Sequence, residues 1–206
     1  MNKHLFITFE GIDGCGKTLM MKKTAAWLQS LGMDVVTTRE PGGSNLGAAI
    51  RKMLLDSPKD AVDSRFEALC FAADRAHHCA TIIGPALTKG KTVLCDRYLD
   101  STIAYQCYGR GLDKDELTFL NTFAIHGLLP DLTILLQVSP QVALHRIGNE
   151  KDRIEQEDLS FFARVADGYL QLAEENPQRF VVINGEMDIP QVFAAVQSAI
   201  SPRLKG

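Results

Sequence analysis

Short apolar, β-branched runs alternate with longer stretches of helical period along the whole chain. Five runs read as strands, at 5–9, 34–38, 92–95, 132–138 and 180–183. Around them the spacing of apolar positions predicts helices over 17–31, 46–55, 64–89, 114–125, 140–146, 159–175 and 189–200. Pro85 deletes one hydrogen bond from the third of these and is expected to kink or divide it. Pro130-Asp131 and Asn176-Pro177 read as helix ends ahead of strands. Strands flanked by helices imply an α/β domain, with a mostly parallel five-stranded sheet covered on both faces. In such sheets ligands collect beyond the carboxyl ends of the strands.

The first run leads into Gly11-Ile12-Asp13-Gly14-Cys15-Gly16-Lys17-Thr18, and a helix-forming segment follows directly. This is G-x-x-x-x-G-K-T in the strand–loop–helix context of a phosphate-binding loop. Its glycines let the backbone take positive φ and turn N–H groups towards an anion. The following helix adds the positive end of its dipole. Lys17 can reach β- and γ-phosphates, and the Thr18 hydroxyl can coordinate Mg²⁺. The chain is therefore expected to bind a nucleoside triphosphate in a three-layer P-loop NTPase fold. A bland glycine-rich turn is the alternative, and the flanking strand and helix argue against it.

Length and composition narrow the picture. The 206 residues suit a single domain, 1–206, with room for a full core and a small mobile insert. A hydrophobic fraction of 46% with 23% charged residues is ordinary for a globular protein. The net charge of −3, with no basic face or tail, argues against broad nucleic-acid binding, so any polyphosphate site must concentrate cations locally. Met1-Asn2-Lys3-His4 leads straight into the first strand, and no apolar run approaches a membrane span; neither a signal peptide nor membrane insertion is expected. Five cysteines without a C-x-x-C pair fit reduced thiols in the cytoplasm better than a disulfide framework or a zinc site. Cys15 reads as a residue small enough for the loop rather than as a reactive thiol.

A second signal is Thr92-Val93-Leu94-Cys95-Asp96-Arg97, a strand ending in an acid and a base. Beside a P-loop strand such an acid can hold Mg²⁺, and the arginine lies where a second anionic group would sit. Taken alone, the pair reads equally well as a structural cap. With the flanking segments the string becomes specific. The P-loop string Phe9 to Thr18, Thr38-Arg39-Glu40-Pro41-Gly42-Gly43, Phe71-Ala72-Ala73-Asp74-Arg75, the stretch Asp96 to Gln106 and Gly109-Arg110-Gly111 together resemble thymidylate kinases, in order and spacing.

That resemblance implies transfer of the γ-phosphoryl group from ATP to dTMP, giving ADP and dTDP, with Mg²⁺ and by a homodimer. By the same likeness, Gly11 to Thr18 with Arg146 would hold ATP, and Thr18, Asp96 and Glu40 would lie at the metal. Arg97 would align the dTMP phosphate. Phe71 would stack on thymine and Arg75 bond its exocyclic oxygen. Without the resemblance these two would read as a core residue and a solvated arginine. Thr102 and Gln106 would contact the base with Ser101 beside them, Tyr105 would pack at the deoxyribose, Asp13 would approach the sugar 3′-hydroxyl, and Glu40 and Arg51 would line the acceptor side. The chemistry fits: a phosphate nucleophile is already ionised, so cations that bring two polyanions together matter more than a general base. Two unit charges at 4 Å repel by roughly 4 kcal/mol at an effective dielectric near 20.

The charged segment from Ile147 to Arg153 resembles the family's lid, spanning about 146–157. Gly14 stands where some relatives carry a P-loop arginine, so the extra cation is expected from Arg146, Lys151 or Arg153. Arg153 is expected to meet the transferring phosphoryl, with Lys17, Arg97 and Asp13 completing the catalytic set. The alternative for Arg153 is a surface pair with Glu155 or Glu157. Two rival functions are a GTPase-like switch, whose N-K-x-D motif is missing here, and a kinase acting on another nucleoside monophosphate or a deoxynucleoside.

Overall fold

The computed structural model describes residues 4–148 and 151–204. Its five strands are β1 (Phe6–Glu10), β2 (Val35–Arg39), β3 (Thr92–Asp96), β4 (Leu132–Gln137) and β5 (Phe180–Asn184). They form one all-parallel sheet in the order β2-β3-β1-β4-β5. The first three strands run one residue further than their apolar patterns do, and the added residues are Glu10, Arg39 and Asp96. These polar residues end three neighbouring strands, with Arg39 in register with Asp96 and Phe9 beside it. The ladder thus carries charged side chains to the edge where ligands are expected.

Alternation along each strand divides the core between the two faces. Ile7, Phe9 and Leu94 join the larger cluster, with Leu28, Val165, Tyr169 and Val196 from the helices. Phe6, Val93 and Cys95 point the other way, into a smaller cluster with Ile83, Tyr98 and Ile125. The Phe6 and Tyr98 rings meet edge to face at 5.0 Å between centroids.

The helices are α1 (Lys17–Ser30), α2 (Asn45–Leu55), α3 (Ser64–His78), α4 (Gly84–Thr88), α5 (Leu99–Thr102), α6 (Lys114–Ile125), α7 (Pro140–Arg146), α8 (Leu159–Glu175) and α9 (Ile189–Leu204). Asp63, Asp113 and Asp158 cap α3, α6 and α8 by accepting backbone N–H groups of the first turn. Three expectations need correction. The helix expected over 64–89 is interrupted by a π-helical turn, Cys79–Ile83, so Pro85 falls in the first turn of α4, where its missing N–H costs least. The segment after Arg97, absent from the predicted helices, is helical: α5 continues into a π-helical stretch, Ile103–Gly109. Finally, α9 runs past Pro202 because Leu204 still packs into the main core. No helix among the described residues is long and apolar enough to cross a membrane.

Candidate active site

The loop between β1 and α1 is shaped by close approach. Gly14 has φ +81, and a Cβ there would lie 2.4 Å from the Ala143 carbonyl oxygen of α7; at Gly11 (φ +132) it would lie 2.5 Å from the Leu136 carbonyl oxygen. The Lys17 ammonium folds back over this loop and donates to the carbonyls of Gly11 and Ile12, at 3.0 Å each. The side chains of Ile12 and Cys15 are buried beneath, so these two can meet a phosphate only through backbone N–H groups. Thr18 follows, and its hydroxyl donates to Asp96 at 2.9 Å.

Arg97 leaves the end of β3 with φ 67, a left-handed backbone that aims its side chain back across the P-loop. Its Nη2 donates to Asp13 (2.6 Å) and the Tyr105 hydroxyl (2.9 Å); Nη1 donates to the Gly11 carbonyl, the Tyr169 hydroxyl and Ser101. Tyr105 in turn donates to the second oxygen of Asp13 at 2.7 Å. Burial would raise the Asp13 carboxyl, but Arg97, Lys17 and Tyr105 outweigh it and hold the acid well below the usual carboxylate range. Behind Arg97, the buried Glu10 accepts from Ser101 Oγ (2.7 Å), the Tyr169 hydroxyl (2.8 Å) and the Tyr98 N–H (2.7 Å). Burial and the nearby Asp100 charge push the Glu10 carboxyl up to about 7, against the pull of Arg97.

One face of α3 presents Phe71 and Arg75 one turn apart. Arg75 is buried and donates to Glu40 (2.8 Å), Thr102 (2.8 Å), Asn121 (2.5 Å) and the Tyr98 carbonyl (3.1 Å). The other Glu40 oxygen bonds His78 Nδ1 at 2.9 Å. Each Glu40 oxygen thus has a partner in the Arg75–His78 layer, and this residue would meet a metal or its water only through its remaining lone pairs. Thr18 and Asp96 remain as hard oxygen donors, a set that suits Mg²⁺ when phosphate oxygens and water supply the other positions.

Phe71, Arg75, Thr102 and Gln106 border the same cavity as Asp13, Lys17, Thr18, Asp96 and Arg97, with a volume of about 510 Å³. Six cations and six carboxylates line it. Two of the cations, Arg75 and Arg97, are neutralised by Glu40 and Asp13. Lys17, Arg39, Arg51 and Arg146 have no carboxylate within 4.0 Å among the described residues, so these four cations face the cavity without a direct ion pair, although Asp74, Asp96, Asp152 and Glu155 balance them in number. Arg51 donates to the Pro41 carbonyl at 3.3 Å, and burial together with the charge of Arg39 lowers its pKa against the pull of Asp152.

The family model described as Thymidylate kinase matches residues 9–196. The chain belongs to the thymidylate kinase family. It is 48% identical over 203 residues to the thymidylate kinase of Leifsonia xyli subsp. xyli, covering 97% of this chain and 96% of that one. It is 47% identical over 204 residues to that of Trichormus variabilis, covering 97% of both. A crystal structure of thymidylate kinase from Ehrlichia chaffeensis superimposes with a TM-score of 0.80 at 37% identity, over 96% of this chain and 99% of that one.

Within this thymidylate kinase fold the lid segment departs from expectation. Asn149 and Glu150 lie outside the described residues. Arg153, expected at the transferring phosphoryl, is 1% exposed and turned away from the cavity. Its Nη2 donates to Glu67 at 2.5 Å, its Nε to the Leu54 carbonyl at 2.7 Å, and its backbone N–H to the Leu55 carbonyl at 3.1 Å. Nor does it pair with Glu155 or Glu157; Arg110 and Lys59 take Glu157 instead. The exposed Lys151 does not border the cavity, whereas Arg146 does, anchored at 3.0 Å to the Gly185 carbonyl. Sequence reasoning passed over Arg39, Glu10, Tyr169, His78 and Glu67. Arg39 and Glu10 carried a signal, as the polar ends of the two strands that flank β3 and Asp96.

Proposed function

We propose that this chain transfers the γ-phosphoryl group of ATP to dTMP, giving dTDP, with both nucleotides meeting in the cavity between the P-loop and α3. The observation that carries this reading is Arg97: a guanidinium held by Asp13, Tyr105, Ser101 and Tyr169 at the junction of the P-loop with the α3 side. There it meets an acceptor phosphate brought against a donor on Lys17. ATP lies along Gly11 to Thr18, with the α1 N-terminus and Lys17 on its phosphates. Thr18 and Asp96 hold Mg²⁺, which when bound neutralises phosphate oxygens and keeps donor and acceptor from repelling each other.

On the acceptor side Phe71 stacks on the base, with Arg75, Thr102 and Gln106 at its edge. Tyr105 packs at the deoxyribose, with Asp13 near the 3′-hydroxyl and Ser101 supporting Arg97. Arg51 and Arg39 add positive charge at the acceptor mouth. Arg146 takes the transition-state role expected of Arg153, because among the three lid candidates it alone borders the cavity. No general base is needed for a phosphate nucleophile, which suits a site whose acids Asp13 and Glu40 are each bound by an arginine.

The protein works as a cytoplasmic homodimer in this reading. The most exposed large apolar side chains are Phe119 and Phe123 on α6 at 75% and 76%, and α3, which packs against α6, carries the exposed Phe66 and Leu69. A second copy would cover this face. Comparing dTMP, dUMP, UMP, CMP and thymidine as acceptors in one coupled assay with ATP and Mg²⁺ tests the activity. Preferred turnover of thymidine, or none of dTMP, would reject it.

A further inference from the structure

One buried cluster lies just outside the cavity and takes no part in the phosphate chemistry. Its centre is Glu67, on α3 one turn before Phe71 and two before Arg75, and 1% exposed. Its carboxylate accepts from Arg153 Nη2 at 2.5 Å, from Arg110 Nε and Nη2 at 3.4 Å each, and from Gln106 Nε2 at 2.8 Å. The guanidinium groups can only donate, so in this setting Glu67 acts purely as an acceptor.

That has a consequence for Gln106. A side-chain amide has one donating end and one accepting end, and which faces where is decided by its neighbours. An acceptor at Glu67 fixes the NH₂ group on the outside and turns Oε1 the other way, towards the cavity that Gln106 borders. Bordering the same cavity and bonded to Thr102, four residues before Gln106, Arg75 uses four of its five N–H groups on Glu40, Thr102, Asn121 and Tyr98, and retains one Nη2 hydrogen. The base edge therefore meets an acceptor next to a donor. A thymine-type ring presents N3–H beside a carbonyl oxygen, which complements that pair. A cytosine-type ring presents a bare N3 beside an amino group and opposes it at both points.

We propose that Glu67 is a positioning residue for base specificity: by holding the Gln106 amide in one orientation it makes the site accept an N3–H pyrimidine and reject a cytosine-type one. This rests on the acceptor site assigned above. The arginine that steadies Glu67 comes from the lid segment, so base readout and lid position share one carboxylate.

The test is the ratio of kcat/KM for dTMP to that for dCMP. Glu67→Gln offers an amide that can donate or accept, which frees Gln106 to rotate. The ratio is expected to fall about tenfold or more, since sites built on buried polar complementarity owe large discrimination to it. The KM for ATP should move less than about twofold, because the P-loop is untouched. Gln106→Met should lose discrimination similarly, and adding Glu67→Gln to it should change the ratio no further. An unmoved ratio in folded Glu67→Gln, or a further loss in the double variant, overturns the proposal. Should Glu67→Gln fail to fold, Glu67→Met with Arg153→Met replaces the ion pair by apolar groups of similar volume, and the same fall is expected; an unmoved ratio there also overturns it. A wild-type protein that fails to phosphorylate dTMP counts against the proposed function, whereas wild-type discrimination retained by the variants counts against Glu67 alone.

Discussion

Asp13 and Arg97 meet at 2.6 Å, one from the P-loop and the other from the end of β3. The contact ties the loop that would hold ATP to the cation that would hold the acceptor phosphate. Asp13 also receives the Tyr105 hydroxyl, so its two oxygens orient two acceptor-side groups at once. An acid placed this way serves as an anchor and leaves the guanidinium preorganised for an incoming anion.

Arg97→Lys should therefore lower kcat/KM for dTMP by about a hundredfold, since an ammonium cannot reproduce the planar fork shared by Asp13, Tyr105 and a phosphate. ATP affinity measured by calorimetry should hardly move. Loss of ATP binding with dTMP use retained would mean that the donor and acceptor sites are exchanged.

Gly14→Ala should abolish ATP binding and cost stability. Its backbone is left-handed and the added methyl would run into the Ala143 carbonyl, so a loss of about 1–3 kcal/mol is expected from strain alone. Urea unfolding and nucleotide titration of the same sample check both parts. Normal ATP affinity in a fully stable variant contradicts the loop geometry.

Arg146→Ala and Arg153→Ala should separate cleanly. Truncating Arg146 should reduce kcat by about a hundredfold with little change in melting temperature. Truncating Arg153 leaves the buried Glu67 with Arg110, at longer range, as its only cation beside the neutral Gln106 amide, and should cost about 3 kcal/mol. In a domain of this size that lowers Tm by about 6–12 °C. If Arg153→Ala keeps its Tm and loses turnover, the arginine swings into the cavity during the reaction and the assignment to Arg146 fails.

Glu10 predicts a pH dependence. Its carboxyl ordinarily titrates near 4.5 and in the fold is pushed up to about 7 by burial and Asp100. Between those values the folded chain keeps a proton that the unfolded chain has released, so this group makes stability fall as pH rises from about 4.5 to about 7, with no further loss above. Glu10→Gln removes the titration. Its stability relative to wild type should therefore improve steadily across that window in urea melts at successive pH values. A gap that stays constant with pH removes Glu10 as the cause.

Much of this was legible from residue order because the dominant signals are local. Strands buried on both faces leave uninterrupted apolar runs, and the P-loop needs its glycines at fixed offsets. Thr18 and Asp96 could be paired on paper because each ends or begins an element beside the other's strand. What stayed hidden was carried by distant contacts. Tyr169 reaches Glu10 across 159 positions and Arg153 reaches Glu67 across 86, and no spacing rule connects them. The helix after Arg97 was missed for another reason. Ser101, Thr102, Ile103, Tyr105 and Tyr108 are weak helix formers, and packing against α8 imposes the helix on them.

The π-helical stretch Ile103–Gly109 has a consequence for how this segment can change. Its wider coil closes the Arg110 N–H onto the Tyr105 carbonyl five residues back, while Tyr105 and Gln106 face the nucleotide cavity. The wider turn takes up a residue beyond ordinary winding, so deleting one there would restore i→i−4 bonding and leave the flanking turns facing as they do now. This stretch is therefore where the segment can shorten by a residue without turning Arg110 away from Glu67.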